Sequence, residues 1–286
     1  MKKVVIFGGD GQLGSEFQQR LRRLQVPFVA ADIAQCDITK AFAVEHFLEE
    51  QKPDLLINCA AYNQVDLAED NPEAAFAVNA KAPGILARAC AGRGIFLVHY
   101  STDYVFDGTK GLLYTEQDAP NPLGVYGASK LEGERQVQAA GGNFLIFRLS
   151  WVIGPGQQNF LYKLRQWAEK NDTLKITEDE VSVPTFTRTV VDVTLAARSA
   201  GLKGLWHLTN SGQASRFELA TEFFRLAGIK KTLIPVPVSS FNLRALRPPC
   251  SAMSSAALAK ALGIVIPDWR AGLKKYMSEQ IEGAVG

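Results

Sequence analysis

Tyr126 and Lys130 stand four residues apart and could together carry out acid–base chemistry. The stretch 125–140 is rich in Ala, Lys, Glu, Arg and Gln, which predicts a helix. Residues at this spacing share a helix face, so both side chains can reach one ligand. A phenol has a reference pKa of about 10, and a nearby ammonium lowers that pKa. The pair predicts a proton donor, although the same spacing is also common in ordinary pairs on a helix surface.

A glycine-rich turn near the start of the chain has the features of a dinucleotide-binding loop. Lys3–Phe7 is an apolar run that predicts a buried strand, and Ser15–Leu24 is amphipathic, as expected of a helix. Gly8, Gly11 and Gly14 lie between them as G-x-x-G-x-x-G, which differs slightly from the G-x-G-x-x-G fingerprint. Glycines let the backbone approach a pyrophosphate, and the helix N-terminus attracts phosphate. A plain tight turn between strand and helix is the alternative.

An acidic residue follows the second predicted strand, Pro27–Ala31. Asp32 lies about 20 residues beyond the glycine turn, where a carboxylate can accept hydrogen bonds from an adenosine ribose. The same carboxylate would repel a 2′-phosphate, and neither Lys nor Arg occurs in 33–37. The sequence therefore favours NADH over NADPH, with a solvated loop carboxylate as the alternative.

Predicted strands and helices alternate through the first half of the chain. Further strands are expected over 54–58, 94–100 and 144–149, and a long helix over 72–93. Repeated βα units with apolar strands predict an α/β fold with a Rossmann-type, doubly wound parallel sheet. Ligands of such sheets bind at the carboxyl ends of the strands, and both the glycine turn and Asp32 directly follow a predicted strand.

The regular alternation is lost after residue 150, which predicts a smaller mixed α/β lobe for substrate binding. We expect a dinucleotide-binding domain over 1–150, a substrate-binding lobe mainly over 151–286, and a return of roughly 180–200 to the first domain. Helices are expected over 159–171, 187–200, 215–227, 254–262 and 268–281, and strands over 204–209 and 232–236.

Composition argues against several classes of function. The 286 residues are 47% hydrophobic and 21% charged, as in globular proteins. The net charge of +2 is dispersed, so no basic patch for nucleic acid is expected. The apolar runs are far shorter than the roughly 20 residues needed to cross a bilayer, and the first strand begins too early for a signal peptide. The four cysteines lack C-x-x-C spacing and the three histidines are isolated. We therefore expect a cytoplasmic protein.

Five motifs in order along the chain resemble those of a known family. They are Gly8-x-x-Gly11-Gln12-Leu13-Gly14, Ser101-Thr-Asp-Tyr-Val-Phe-Asp-Gly108, Tyr126-Gly-x-Ser-Lys130, Arg148-x-Ser-Trp151-Val152 and Arg247-Pro248. Together they resemble the dTDP-4-dehydrorhamnose reductases, extended short-chain dehydrogenases/reductases, over essentially the whole chain. The first and third motifs mark only the superfamily, whereas the second and fourth are more specific. The resemblance implies reduction of the C4 ketone of dTDP-4-dehydro-L-rhamnose with NADH or NADPH.

The resemblance also implies catalytic roles. Tyr126 would be the general acid, and Lys130 would lower its pKa and hydrogen-bond the nicotinamide ribose. Thr102 would donate a hydrogen bond to the developing oxyanion, an interaction that can contribute about 3–4 kcal/mol. The alternative for Thr102 is a hydroxyl that caps the backbone at the end of a strand.

Further residues match binding positions of the family. Asp103 and Trp151, with Thr102, match sugar-contacting positions, and Arg247 is a candidate for the diphosphate because a guanidinium suits phosphate. The cofactor-binding set implied by the resemblance is Gly8, Gly11, Gln12, Leu13, Gly14, Asp32, Asp37, Ile38, Ala60, Ala61, Tyr62, Tyr126 and Lys130.

One departure from the family concerns metal binding. Some members hold a magnesium ion between subunits with glutamates, but this chain has Phe186-Thr187-Arg188 after Pro184-Thr185, basic where a carboxylate is needed. We therefore expect no metal, a dTDP-sugar as the partner, and a monomer or homodimer. Two alternatives stay open: an NAD-dependent nucleotide-sugar epimerase or dehydratase, and a non-catalytic relative resembling the regulatory β subunit of methionine adenosyltransferase.

Overall fold

The computed structural model describes the backbone of residues 2–285 and the side chains of residues 2–279. Its elements in chain order are β1 (Val4–Phe7), α1 (Gln12–Arg23), β2 (Phe28–Ala31), α2 (Ala41–Gln51), β3 (Leu55–Asn58), α3 (Val65–Asp70), α4 (Pro72–Phe76), a π-helical turn (Ala77–Lys81), α5 (Ala82–Arg93), β4 (Phe96–Thr102), a 3-10 turn (Asp103–Val105), α6 (Val125–Ala140), β5 (Phe144–Leu149), β6 (Val152–Ile153), α7 (Phe160–Lys170), β7 (Thr173–Thr177), β8 (Val181–Ser182), β9 (Thr185–Phe186), α8 (Thr187–Ser199), β10 (Gly204–His207), β11 (Ala214–Ser215), α9 (Arg216–Ala227), β12 (Thr232–Val236), a 3-10 turn (Val238–Ser240), α10 (Ala256–Leu262) and α11 (Trp269–Val285).

Six parallel strands form the central sheet in the order β2-β1-β3-β4-β5-β10. Strands β1, β3 and β4 are buried along their whole length, which explains why their sequences are apolar runs without alternation. The strand order reverses at β1, because β2 pairs with one side of β1 and β3 with the other. Open α/β sheets bind ligands beside such a reversal, at the carboxyl ends of the strands. The doubly wound parallel sheet predicted from the sequence is confirmed.

Helices cover both faces of this sheet. On one face, Phe17 of α1 and Val190 of α8 join the sheet core, and on the other Leu48, Leu86 and Val137 come from α2, α5 and α6. Helix α8 contacts α1, and β10 adds the sixth strand. The sequence predicted that roughly 180–200 returns to the dinucleotide-binding domain of residues 1–150; we propose that the returning segment consists of α8 and β10, residues 187–207, whereas β8 pairs with β11 of the second lobe.

The second lobe has its own core. Helices α7 and α9 pack with the two-stranded parallel sheet β7–β12, and Leu164, Phe224 and Trp269 are buried together there. Helix α9 begins with a capping box, in which the Ser215 hydroxyl accepts from the Glu218 N–H and the Glu218 carboxylate accepts from the Ser215 N–H.

The helix expected over 72–93 is interrupted by the π-helical turn. Pro83 has no N–H, so the carbonyl oxygen of Asn79 receives no hydrogen bond from the position four residues later. Helix α6 approaches at this point, where a Cβ on Gly133 would lie 2.1 Å from that carbonyl oxygen. Such turns recur at functional sites.

Several elements were not predicted from the sequence. Helix α2 begins at Lys40 without a side-chain cap, and α3 is only six residues long, so both lack clear signals. The strands β6, β8, β9 and β11 have two residues each, too few to show a period.

A buried carboxylate joins the two lobes at the end of β4. Asp103 is 2% exposed, and its Oδ2 accepts hydrogen bonds from Ser182 at 2.7 Å and Ser251 at 2.5 Å. Its Oδ1 accepts from Thr102 at 3.1 Å. Burial raises the pKa of Asp103, and its hydroxyl partners oppose the rise. Three segments distant in sequence are thereby held around one carboxylate.

We expect Gly14→Ala to lower the free energy of unfolding by about 1–3 kcal/mol, as overpacking does. The added Cβ would lie 2.1 Å from the carbonyl oxygen of Gly8, so the glycine loop would have to move. Gly92→Ala in α5 is the matched control, because no atom lies within 4 Å of its added Cβ; it should be neutral or stabilising by up to about 1 kcal/mol. Urea denaturation checks both values, and equal stability of the two variants would contradict the close approach.

We expect Asp103→Ala to lower the free energy of unfolding by at least about 2 kcal/mol, because it leaves three hydroxyls without their shared acceptor. Ser251→Ala removes only one of these hydrogen bonds and should cost about 1 kcal/mol. Denaturant titration of both variants provides the comparison. A loss for Asp103→Ala no larger than that for Ser251→Ala would show that the carboxylate does not hold the lobes.

Candidate active site

Gly8, Gly9 and Gly11 form an open turn, or cradle, at the end of β1, in which Asp10 is the one residue with a side chain. Gly8 has a φ of +75°, and a Cβ there would lie 2.6 Å from the Ala60 nitrogen. Helix α1 begins after Gly11, which offers no side-chain cap to the first N–H groups. Free N–H groups beside glycines, which lack Cβ atoms, form a site suited to phosphate.

A cavity of about 350 Å³ opens beside this cradle. It is lined by seven of the predicted cofactor-binding residues, Gly8, Gly11, Asp32, Asp37, Ile38, Ala60 and Ala61. Its other lining residues, which sequence reasoning missed, include Ile33, Cys36, Thr39, Cys59, Asn63, Val78 and Gln158. The cavity thus lies at the reversal of strand order, between the ends of β1, β2 and β3.

Four predicted cofactor residues of the neighbouring loops do not line this cavity. The Gln12 Oε1 accepts from the Gly154 N–H at 3.0 Å and from the Asn159 amide at 3.2 Å, which ties the glycine loop to the second lobe. Leu13 packs against the core of the sheet, and Gly14 allows the close approach to Gly8. The Tyr62 N–H donates to the Asn79 Oδ1, and the Asn79 Nδ2 donates to the Tyr62 carbonyl.

Three acidic residues line the cavity, Asp10, Asp32 and Asp37, and the last two differ in the direction of their pKa shifts. Burial raises the pKa of Asp32, whose Oδ2 accepts from the Asp10 N–H at 2.8 Å. Hydrogen bonds from the Thr39 hydroxyl and N–H lower the pKa of Asp37. The Asp32 carboxylate is thus fixed against the glycine loop.

Tyr126 and Thr102 come together at the end of β4. Burial raises the pKa of Tyr126 to about 12, with a further rise from Asp103 and a lowering from the neighbouring Thr102 hydroxyl. Thr102 is 6% exposed, and its hydroxyl donates to Asp103 and accepts from the Tyr104 N–H at 3.2 Å. The Tyr104 ring meets the Tyr126 ring edge to face at 5.8 Å. The backbone cap that was the alternative for Thr102 is therefore present, next to the predicted acid.

Lys130 is bonded to strand β4 rather than to the phenol. Its ammonium, 3% exposed, donates to the Tyr100 carbonyl at 2.5 Å. Burial lowers the pKa of Lys130 to about 8, and the negative charge of Glu134 partly opposes this by raising the pKa. The Thr102 hydroxyl lowers the pKa of Tyr126, and burial outweighs this lowering. The expected effect of Lys130 on the Tyr126 pKa remains a prediction.

Small residues let α6 approach the site closely. A Cβ on Gly127 would lie 2.2 Å from the Tyr104 carbonyl oxygen. The Ser129 hydroxyl donates to the Tyr126 carbonyl at 2.8 Å and accepts from Asn79 at 3.1 Å. A glycine inside a helix costs about 1 kcal/mol relative to alanine, so Gly127 and Gly133 were sequence signals of close packing.

A second cavity of about 430 Å³ lies between the lobes, and Gln158 lines both cavities. Of the predicted substrate residues, Trp151 and Arg247 line it. Trp151 has a φ of +39°, a strained conformation for a non-glycine residue of the kind found at functional sites. The Arg247 guanidinium donates to Asp66 at 2.6 Å. Asp103 does not line this cavity but lies beneath Thr102, so its contact with a sugar remains a prediction.

A larger cavity, about 1150 Å³, lies away from the predicted catalytic residues, between α1, α8 and α11. Arg188 lies there, with carboxylate oxygens of Glu16 at 3.8 Å, Asp192 at 3.7 Å and Glu279 at 3.5 Å.

Within residues 2–279, no three His, Cys, Asp or Glu side chains are grouped as metal ligands. The absence of a metal site remains a prediction. Along the described backbone, no helix has the length and hydropathy of a membrane span.

Comparison with known proteins identifies the family. The family model described as the RmlD substrate binding domain matches residues 1–281. The dTDP-4-dehydrorhamnose reductase of Burkholderia thailandensis is 38% identical over 286 residues, covering 94% of this chain and 95% of that protein. The crystal structure of a dTDP-4-dehydrorhamnose reductase from Clostridium acetobutylicum has a TM-score of 0.95 at 36% identity, covering 97% of this chain and 99% of its own. That of the Bacillus anthracis enzyme, in complex with NADP, has a TM-score of 0.94 at 32% identity, covering 98% and 100%. This chain therefore belongs to the dTDP-4-dehydrorhamnose reductase family.

Proposed function

We propose that this chain reduces the C4 ketone of dTDP-4-dehydro-L-rhamnose to dTDP-L-rhamnose with a nicotinamide cofactor. The observation that carries the proposal is the meeting of Tyr126 and Thr102 at the end of β4. Of the two cavities that share Gln158, the one beside the glycine turn suits a dinucleotide and the other a nucleotide sugar. Neither is lined by Tyr126 or Thr102, but Tyr104, whose ring meets that of Tyr126, lines the second. Relatives at 33–38% identity that bear the reductase name support the assignment. A cytoplasmic location and a monomeric or homodimeric state are parts of the proposal.

The residues of the first cavity fit a nicotinamide dinucleotide. The cradle of Gly8 and Gly11 and the uncapped start of α1 would hold the pyrophosphate, and Asp32 the adenosine ribose. When bound, the reduced cofactor supplies the hydride. Lys130, whose ammonium donates to the Tyr100 carbonyl, would hydrogen-bond the nicotinamide ribose, the role that the family resemblance implies.

Tyr126 would give its proton to the C4 oxygen. With a pKa raised to about 12, the phenol carries its proton at neutral pH, as an unperturbed phenol also does, so the proton is present when the substrate binds. Thr102 would stabilise the developing oxyanion once its hydroxyl turns from Asp103 toward the substrate. A ketone reduction requires both a proton and a hydride, and Tyr126 would supply the proton.

The position of Asp32 favours NADH over NADPH. Its carboxylate is held by the Asp10 N–H against the loop, where a ribose 2′-phosphate would meet a negative charge. The Bacillus anthracis relative was solved with NADP, so members of this family can also hold the phosphorylated cofactor. The preference therefore rests on the charge of this chain's own carboxylate.

An epimerase or dehydratase on the same fold would return its hydride to the sugar and consume no NADH. The deciding measurement is stoichiometric NADH oxidation with dTDP-4-dehydro-L-rhamnose, set against the UDP and GDP counterparts. Formation of dTDP-L-rhamnose in equal amount supports the proposal. Substrate conversion without net NADH oxidation would favour the epimerase or dehydratase, and no conversion would favour a binding role.

We expect Tyr126→Phe to retain NADH affinity and the parent's unfolding free energy but to lower kcat by about 10²–10⁴-fold, as expected for a lost general acid. Tyr162→Phe is the control, since its hydroxyl only accepts from Gln166 on the surface of α7. Steady-state kinetics and cofactor titration check both variants. Turnover by Tyr126→Phe within about threefold of the parent would show that the acid is misassigned.

We expect Asp32→Asn to lower the ratio of kcat/KM for NADH over NADPH by about tenfold, a difference of about 1.4 kcal/mol. The amide oxygen can still accept from the Asp10 N–H, so the substitution removes the charge while keeping the loop contact. The ratio measured at constant ionic strength reports the change. A parent enzyme that works better with NADPH than with NADH would rule out the preference.

A further inference from the structure

We propose that Arg216 binds the diphosphate of the nucleotide-sugar substrate and thereby sets the requirement for a nucleoside diphosphate. This inference rests on the proposed function and deepens it. Arg216 was not among the residues that sequence reasoning selected, since a single arginine at the start of α9 gives no motif. It lines the second cavity together with Trp151 and Arg247.

Two aromatic rings hold the guanidinium of Arg216. Its central carbon lies 3.6 Å from the centroid of the Trp151 ring and 5.0 Å from that of Phe160. Stacking of this kind orients the planar guanidinium, while its N–H groups lie in the plane and stay available as donors. The stack also covers one side of the Trp151 ring, which leaves at most the other side for a sugar.

The donors of Arg216 have no acceptor in the described part of the chain. Its side chain makes no hydrogen bond there and has no carboxylate oxygen within 4 Å, whereas Arg247 is bonded to Asp66 at 2.6 Å. The Glu180 carboxylate interacts with Arg216 only over a longer range and accepts from the Thr177 hydroxyl at 3.1 Å. Burial lowers the pKa of Arg216, yet a guanidinium keeps its charge in proteins.

The charge of the cavity lining favours an anion. Four basic residues, Lys163, Lys175, Arg216 and Arg247, line the cavity together with one carboxylate, that of Glu180, and the buried Asp103 carboxylate also interacts with Arg216 at longer range. A diphosphate would receive bidentate hydrogen bonds from a guanidinium, which a lysine cannot supply in that geometry. A diphosphate near Arg216 would also place the attached sugar next to Trp151. The same cavity is lined by Tyr104, whose ring contacts that of the proposed acid, Tyr126.

The test uses the full-length protein with Arg216→Met and Arg216→Lys. Methionine keeps an apolar chain that can lie on Trp151 but removes the charge, whereas lysine keeps a point charge without the planar fork. Arg225→Met is the matched control, because Arg225 lies on the same helix but is exposed and paired with Glu222 at 2.7 Å. Calorimetry measures the Kd of dTDP, thymidine and NADH for each protein, and inorganic pyrophosphate is added as a competitor of dTDP.

We expect Arg216→Met to weaken dTDP binding by about tenfold or more, with thymidine and NADH affinities within twofold of the parent. Arg216→Lys should recover only part of the loss, pyrophosphate should compete for dTDP less well on Arg216→Met, and Arg225→Met should match the parent. Unchanged dTDP affinity in Arg216→Met, or a parent that binds dTDP no more tightly than thymidine, would overturn the inference. These binding measurements do not require turnover, so a parent without reductase activity would refute the proposed function separately.

Discussion

The buried carboxylate of Asp103 is the constraint on which the arrangement of the site depends. A carboxylate removed from water is tolerated only when its lone pairs are satisfied, and here three hydroxyls satisfy them. Two of those hydroxyls, from Ser182 and Ser251, belong to the second lobe, and the third belongs to Thr102 at the end of β4. The Asp103 carboxylate therefore sets the position of the Thr102 hydroxyl, which is proposed to stabilise the oxyanion, and fixes both lobes relative to it. Asp103, whose motif predicts a contact with the sugar, thus has a structural role in holding the two lobes together.

The close packing of α6 is the second condition for the site. Gly127 and Gly133 let the helix lie against backbone carbonyls, and the carbonyl of Asn79 is open because Pro83 cannot donate to it. The side chain of Asn79 then bonds both Tyr62 and Ser129, so one residue connects the cofactor side of the sheet with the helix that carries Tyr126. Burial produced by this packing keeps the phenol protonated and keeps the pKa of Lys130 low. The helical costs of glycine and of the π turn are offset by this placement.

The cavities proposed for cofactor and substrate meet at an interface that belongs to neither domain alone. Gln12 reaches from the glycine loop to Gly154 and Asn159, and Gln158 lines both cavities. The fold itself is shared by enzymes of many activities, so the function follows from the groups at this junction. Those groups are a protonated phenol, a hydroxyl donor and a basic, aromatic cavity, which together suit the reduction of a ketone carried on a diphosphate.

The local sequence was sufficient for the parallel sheet, the glycine turn and the family. Largely apolar strands, a turn of glycines before an amphipathic helix, and the Tyr126 motif are all short-range signals. It was not sufficient for α2, the two-residue strands or the π turn, whose stability comes from packing rather than from caps or periodicity. The environment of Asp103, the partner of Lys130 and the stacking of Arg216 on Trp151 were decided by tertiary structure alone. Each depends on groups far apart in sequence, and burial and charge at those points exist only once the lobes have closed around them.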